Sequence, residues 1–152
     1  MARIYAKKSG KSGSKKPLIP AQWVTYTGDE VERLVVKLGK DGVQAAQIGL
    51  TLRDQYGIPS VRAVTKKTIM GILEGNGMKK AVPDELFNLL KRAVNLRKHL
   101  GNNKRDSHSK RALELLESRI RRVAKYYIAN ERLPESWKYN AEQAKLLVEK
   151  GA

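Results

Sequence analysis

The chain has 152 residues, room for one ordinary domain or two small ones. Lys and Arg number 31 against 15 Asp and Glu, a net charge of +16 that calls for a polyanion to neutralise it. The absence of cysteine excludes a disulfide framework, a thiolate metal site and a cysteine nucleophile.

No apolar run approaches the roughly 20 residues of a membrane span, and no signal-peptide core opens the chain. With 41% hydrophobic residues a modest core is within reach, so a soluble, intracellular, folded protein is expected. The charge is unevenly placed. Residues 1–19 carry six positives and no acid, and residues 20–90 carry nine against eight. Residues 91–127 carry twelve against three, and residues 128–152 balance at four each. That is a basic arm, a nearly neutral middle and one intensely basic segment.

Residues 1–20 are too rich in Gly, Ser and Lys to fold alone, and read as a flexible basic arm. The arm either threads along phosphates or only solubilises. A first helix is predicted from Thr27 to Gly39, with Thr27 and Glu30 at capping-box spacing. Val31, Leu34, Val35 and Leu38 share one face, and Gly39 is the expected stop. A second helix runs from about Val43 to Tyr56, with Ala46, Ile48, Leu50 and Leu52 partly buried and Gly57 ending it. Pro59 and Ser60 turn the chain. A third stretch spans Val61 to Leu73, with a break allowed near Thr65, and ends at Gly75–Asn76–Gly77.

Pro83, Asp84 and Glu85 mark the next helix start, where proline fits and acids meet the positive end of the helix dipole. Its stripe is Leu86, Leu89, Leu90, Ala93, Val94 and Leu96; Arg97, Lys98 and His99 suit its last turn, with Gly101 as the stop. A polar loop, Asn102 to Arg105, follows. Asp106 or Ser107 can cap a long helix through Ile128, with Leu113, Leu116, Ile120, Val123, Ala124 and Tyr127 inward. A tail with Pro134 and Trp137 leads to a short helix at Ala141–Glu149. The fold class is therefore all-α: a basic arm at 1–20, a small helical domain at 21–80, and a helical-hairpin domain at 81–152.

Catalytic constellations are thin. The two histidines, His99 and His108, have only Asp106 beside them, too little for zinc. Ser109, His108 and Asp106 have the residue types of a triad but only sequence adjacency. Phosphate-loop and dinucleotide glycine patterns are absent, so no enzyme and no cofactor are expected.

Nucleic-acid contact fits better. Asp106 is able to accept from a guanine amino group in a minor groove, and Ser109 and His99 to bond base edges or 2′-hydroxyls. Equally, Asp106 can simply cap the helix. Around it, Lys104, Arg105, Lys110, Arg111, Arg119, Arg121, Arg122 and Lys125 suit phosphate contacts. Tyr126, beside an inward Tyr127, either stacks on RNA or packs. Ala45–Val64 has the outline of a DNA-reading helix-turn-helix, with Arg62, Lys66 and Lys67 on its second helix, or is a plain helical module.

The stretch Leu96–Leu100, then Asn103–Arg111, closely resembles the small-subunit ribosomal protein fifteen family. Glu117–Arg122 and Tyr126–Tyr127 fit it too. Gln47–Gly49, Leu52–Asp54, Gly57, Leu133–Pro134 and Trp137–Tyr139 look like its archaeal and eukaryotic branch, as does the basic arm ahead of Trp23. The resemblance implies a cytoplasmic constituent of the small subunit that binds the central domain of its ribosomal RNA and supports assembly. It implies a minor-groove trio of His99, Asp106 and Ser109 at a G·U/G·C site. Contacts to a three-way junction by Arg92, Arg121, Arg122 and Tyr126 follow likewise. Implied partners also include neighbouring ribosomal proteins and large-subunit RNA across a bridge, with no membrane and no small-molecule substrate. Two features depart from the bacterial pattern. Asn103 stands where a histidine is usual, and Lys79, Lys80 and Glu85 replace a Thr-Gly pair and a Gln.

Overall fold

The computed structural model describes residues 19, 21–78 and 80–149; the arm expected at 1–20 lies outside them apart from Ile19. The described residues form seven helices and no strand. They cluster into two compact units, Met1–Met78 and Lys79–Ala152.

The first unit packs three helices around α1, Gly28–Lys40. Its start is the predicted capping box: the Thr27 hydroxyl accepts from the Glu30 amide, and the Glu30 carboxylate accepts from the Thr27 amide at 2.8 Å. This satisfies amides that the first turn leaves without partners. The expected stop at Gly39 is wrong. The helix runs on to Lys40, and Gly42, at φ +79°, takes the left-handed turn. Gly39 instead makes room: a Cβ there would lie 2.5 Å from Leu73 Cδ2 and 3.3 Å from Met78 Sδ.

Helix α2 is Ala45–Gln55, shorter at both ends than its sequence pattern suggested. Ile48 and Leu52, one turn apart, are wholly buried, whereas Ala46 and Leu50 lie on the other side and are exposed. The third predicted helix is two. Helix α3 covers Val61–Thr65 and α4 covers Ile69–Gly75. Lys66 breaks the run in a left-handed conformation, the Thr65 hydroxyl turns back onto the Val61 carbonyl, and Thr68 caps α4 through the Gly71 amide. A helix-turn-helix is therefore not formed. Its second helix would be five residues long, with Lys66 past its end and Lys67 in an ion pair with Glu32 at 2.8 Å. The unit closes on Val31, Val35, Ile48, Leu52, Ile58, Val61, Ile72 and Leu73.

In the second unit α5, Asp84–Asn102, pairs with α6, Ser107–Ala129, and with α7, Ala141–Glu149. Gly101 does not end α5; it sits in the exposed last turn, where a missing side chain costs little. Four residues connect α5 to α6, so the two must run antiparallel. The core gathers Val82, Leu86, Leu89, Leu90, Ala93, Ile120, Leu133 and Ala144. All of its α5 members lie in the first half of that helix, so the apolar burial thins toward the turn. Truncating Ile120, fully buried, would cost about 2–5 kcal/mol.

Polar clasps take over where the core thins. Arg97 on α5 donates from Nε to Glu117 Oε1 on α6 at 3.1 Å, and the Tyr139 hydroxyl donates to the same oxygen at 3.2 Å. At the opposite end the Tyr127 hydroxyl donates to Glu85 at 3.1 Å. Burial pushes the Tyr127 and Tyr139 phenols upward, and the neighbouring Glu85 and Glu117 carboxylates add to it.

Candidate nucleic-acid interface

The turn between α5 and α6 is laced by hydrogen bonds among His99, Asn103, Asp106 and Ser109. Asp106 is the N-cap of α6, and Ser107 is the first helical residue. Its Oδ1 accepts the Ser109 amide at 2.9 Å, and its Oδ2 accepts from Nε2 of His99, in the last turn of α5, at 2.9 Å. The Ser109 amide, the Ser109 hydroxyl and His99, in that order, hold the carboxyl well below the usual carboxylate range. At neutral pH it is a fixed acceptor. The sequence left open whether Asp106 caps or reads. It caps with one oxygen while its side chain stays 32% exposed, so lone pairs remain for a ligand.

His99 is also fixed. Asn103 Nδ2 donates to the His99 carbonyl at 3.1 Å and lies 3.3 Å from His99 Nδ1. The Asp106 carboxylate thus faces Nε2 and the Asn103 amide faces Nδ1. Both nitrogens are then engaged within the protein, so the ring orients the carboxylate. Asn103, noted in the sequence only as a departure, is the residue that completes this arrangement. The triad of Ser109, His108 and Asp106 is not formed, because Asp106 holds His99 instead. Among the described residues no three His, Asp or Glu side chains converge as a metal site would need.

Cations rim the turn. His99, Asn102, Asn103, Lys104, Arg105 and Asp106 line one shallow concavity. Lys110 and Arg111 follow in the first turns of α6, both exposed. Arg111 is paired with Glu114 at 3.1 Å, while Lys104, Arg105 and Lys110 have no ion pair among the described residues.

Farther along α6 the basic residues divide by face. His108, Arg111, Leu115, Arg119, Arg122 and Tyr126 recur every three or four residues and form one exposed stripe. Leu115 is 55% exposed and Tyr126 is 64% exposed, and Tyr126 stands edge-on to Tyr127 with centroids 5.4 Å apart. Tyr126 is thus the outward ring and Tyr127 the inward one. Leu115, outside the inward stripe drawn from the sequence, is an apolar member of this exposed one. Arg121 and Lys125 occupy the adjoining face, where Arg121 approaches Glu117 at 4.0 Å. Arg92 is exposed on α5. The pairing that sets Arg97 beside Glu117 and Glu85 beside Tyr127 brings it level with Ile120–Arg122. The structure thus gathers two groups along the paired helices: His99, Asp106 and Ser109 at the turn, and Arg92, Arg119, Arg122 and Tyr126 about 10–30 Å away.

Comparison with known proteins fits this geometry. The family described as "Ribosomal S13/S15 N-terminal domain" matches residues 1–58, and that described as "Ribosomal protein S15" matches residues 71–147. A small ribosomal subunit protein uS15 from Methanococcus vannielii is 50% identical over 152 residues, covering 98% of this chain and all of its own length. Its counterpart from Methanobrevibacter smithii is 51% identical, covering 84% of this chain and 96% of its own. That from Hyperthermus butylicus is 45% identical, covering 95% and 91%.

Proposed function

Because the chain belongs to the ribosomal protein S15 family and is a structural constituent of the small ribosomal subunit, we propose that it folds and holds the central domain of the small-subunit RNA. In this role Asp106 and Ser109 read a G·U/G·C site in a minor groove, with His99 holding the carboxylate in register. Arg92, Arg121, Arg122 and Tyr126 grip a three-way junction beside it, and Lys104, Arg105, Lys110, Arg111, Arg119 and Lys125 neutralise phosphates. The partners are ribosomal RNA, neighbouring ribosomal proteins and, across a bridge, large-subunit RNA. The role is binding, and the family is a structural one.

One observation carries the proposal: a carboxylate held ionised by the Ser109 amide and His99 at a turn rimmed by the exposed cations Lys104, Arg105 and Lys110. Near phosphates an anion is repelled unless a specific donor repays it, and the guanine amino group exposed in a minor groove is such a donor. The cations supply sequence-independent affinity; the carboxylate supplies discrimination. Binding one junction geometry more tightly than the open one shifts the RNA toward the folded form.

The test is a gel-shift titration at two salt concentrations with three probes. They are a three-way-junction RNA, the same RNA with its G·U pair replaced, and a duplex DNA of equal length. Tight junction binding that drops on changing the G·U pair is expected. Equal affinity for all three would leave only a polycation.

A further inference from the structure

One leucine of α6 takes no part in the core of the second unit. Leu115 is 55% exposed and lies about two and a half turns from the buried Ala124, on the opposite face of the helix. A lone exposed leucine is ordinary. What sets Leu115 apart is its company. Arg111 and Arg119, one turn before and one turn after it, share its stripe with Arg122 and Tyr126, and no acidic residue does. Arg111 is paired with Glu114 at 3.1 Å, but both side chains are more than half exposed, so the pair gives way to a phosphate at little cost. Arg119 and Arg122 have no ion pair among the described residues.

The charge of the stripe selects its partner. A face with three guanidiniums and no carboxylate draws a polyanion, and it runs on from the turn whose cations meet RNA in the proposed function. The spacing selects the form of that polyanion. Arg111 and Arg119 are eight residues apart, about 12 Å of helix, with Leu115 midway between them. Two phosphate-seeking groups with an aliphatic group between them match a groove seen in section: backbone, sugar edges, backbone. The minor groove of A-form RNA is wide and shallow, so a side chain as short as leucine reaches its sugars. The minor groove of B-form DNA is narrow and deep, and a helix does not enter it.

We propose that Leu115 packs on the riboses of a double-stranded RNA minor groove, while Arg111 and Arg119 hold the phosphates on its two borders. The contact is to sugars and needs no particular base. It rests on the proposed function for the identity of the nucleic acid as RNA, and is independent of the reading of a G·U pair by Asp106.

The test uses the full chain and three probes: the three-way-junction RNA, the same RNA with its G·U pair replaced, and a duplex DNA of equal length. Leu115→Ala is expected to weaken binding to both RNAs about fivefold, by the same factor for each. The slope of log K against log salt should stay that of the wild type, because burying an aliphatic group displaces no counterion. Leu115→Met keeps the apolar volume and should retain most of the affinity. Affinity for the DNA should be the same in all three proteins. Because Leu115 is exposed, both variants should unfold at the wild-type midpoint, which thermal melts check. Equal RNA affinity in the wild type and Leu115→Ala would overturn the proposal and leave this face to a protein. So would an equal loss on the DNA, or a loss in Leu115→Met as large as that in Leu115→Ala. Asp106→Ala, run beside them, should lose the distinction between the two RNAs, whereas Leu115→Ala should keep it. Failure at the turn and failure at the groove contact are thereby read separately.

Discussion

His99 and Asp106 stand at the two feet of one four-residue turn, and Nε2 of the histidine donates to Oδ2 of the aspartate at 2.9 Å. Because Oδ1 of the same carboxylate accepts the Ser109 amide, one side chain closes the hairpin and starts its second helix. The apolar core has thinned by this point, so the turn is shaped by hydrogen bonds. A loop built this way presents its polar atoms at fixed positions, which recognition of a base edge demands.

Capping and reading separate by substitution. Asparagine caps almost as well as aspartate but gives up the acceptor that His99 uses, so Asp106→Asn should lower the unfolding midpoint less than Asp106→Ala does. Its amide, however, would replace an acceptor with a donor, and affinity for the junction RNA should fall about tenfold or more. Asp106→Ala should lose both. Thermal melts beside filter-binding titrations check this; unchanged RNA affinity in Asp106→Asn would leave Asp106 as a cap alone.

Acid should weaken the turn in a predictable direction. The Asp106 carboxyl is depressed on folding from an ordinary value of 3.8, so its contribution to stability is fully present above that value. It is lost as pH falls from there toward the lower folded value, because the unfolded chain takes up the proton first. Urea melts through this range should show the wild type losing stability more steeply than Asp106→Asn. Parallel curves would mean the depression is absent.

The Glu117 clasp should matter more than any surface pair. Its side chain is only 15% exposed and accepts from Arg97 and Tyr139, so Glu117→Ala strands donors from two other segments. A loss of about 1–3 kcal/mol is expected in the unfolding of the second unit. Arg111→Ala, which breaks a pair exposed at both ends, should change it by less than about 0.5 kcal/mol. Denaturant unfolding of the two variants gives the comparison.

Much of this was legible in the sequence, and the misses have physical causes. The capping box at Thr27, the cap offered as Asp106 or Ser107 and the bounds of Ala141–Glu149 depend on neighbours a few residues away, which a linear pattern displays. Gly39 and Gly101 misled because a glycine reads as a stop, yet Gly39 lies within α1 for the sake of Leu73, a contact 34 positions away. The break allowed near Thr65 falls at Lys66, where the left-handed backbone separates α3 from α4. At the turn, the residue types of His99, Asp106 and Ser109 pointed to hydrogen bonding, but only the fold shows one carboxylate shared between them, or Asn103 facing the ring.

Phosphate contacts should appear in the salt dependence. Arg122 is exposed on the stripe with Tyr126 and has no ion pair among the described residues. Arg122→Ala should weaken binding to the junction RNA and to its G·U-altered form equally, and lower the salt slope by about one. An unchanged slope would place Arg122 away from the backbone.

The most direct measurement is a double-mutant cycle across the proposed contact. Wild type and Asp106→Ala are each titrated against the junction RNA and against the same RNA with its G·U pair replaced. The expected result is strong coupling: changing the pair weakens the wild type about tenfold or more, yet barely affects Asp106→Ala. Losses that multiply independently would contradict a contact between Asp106 and that pair.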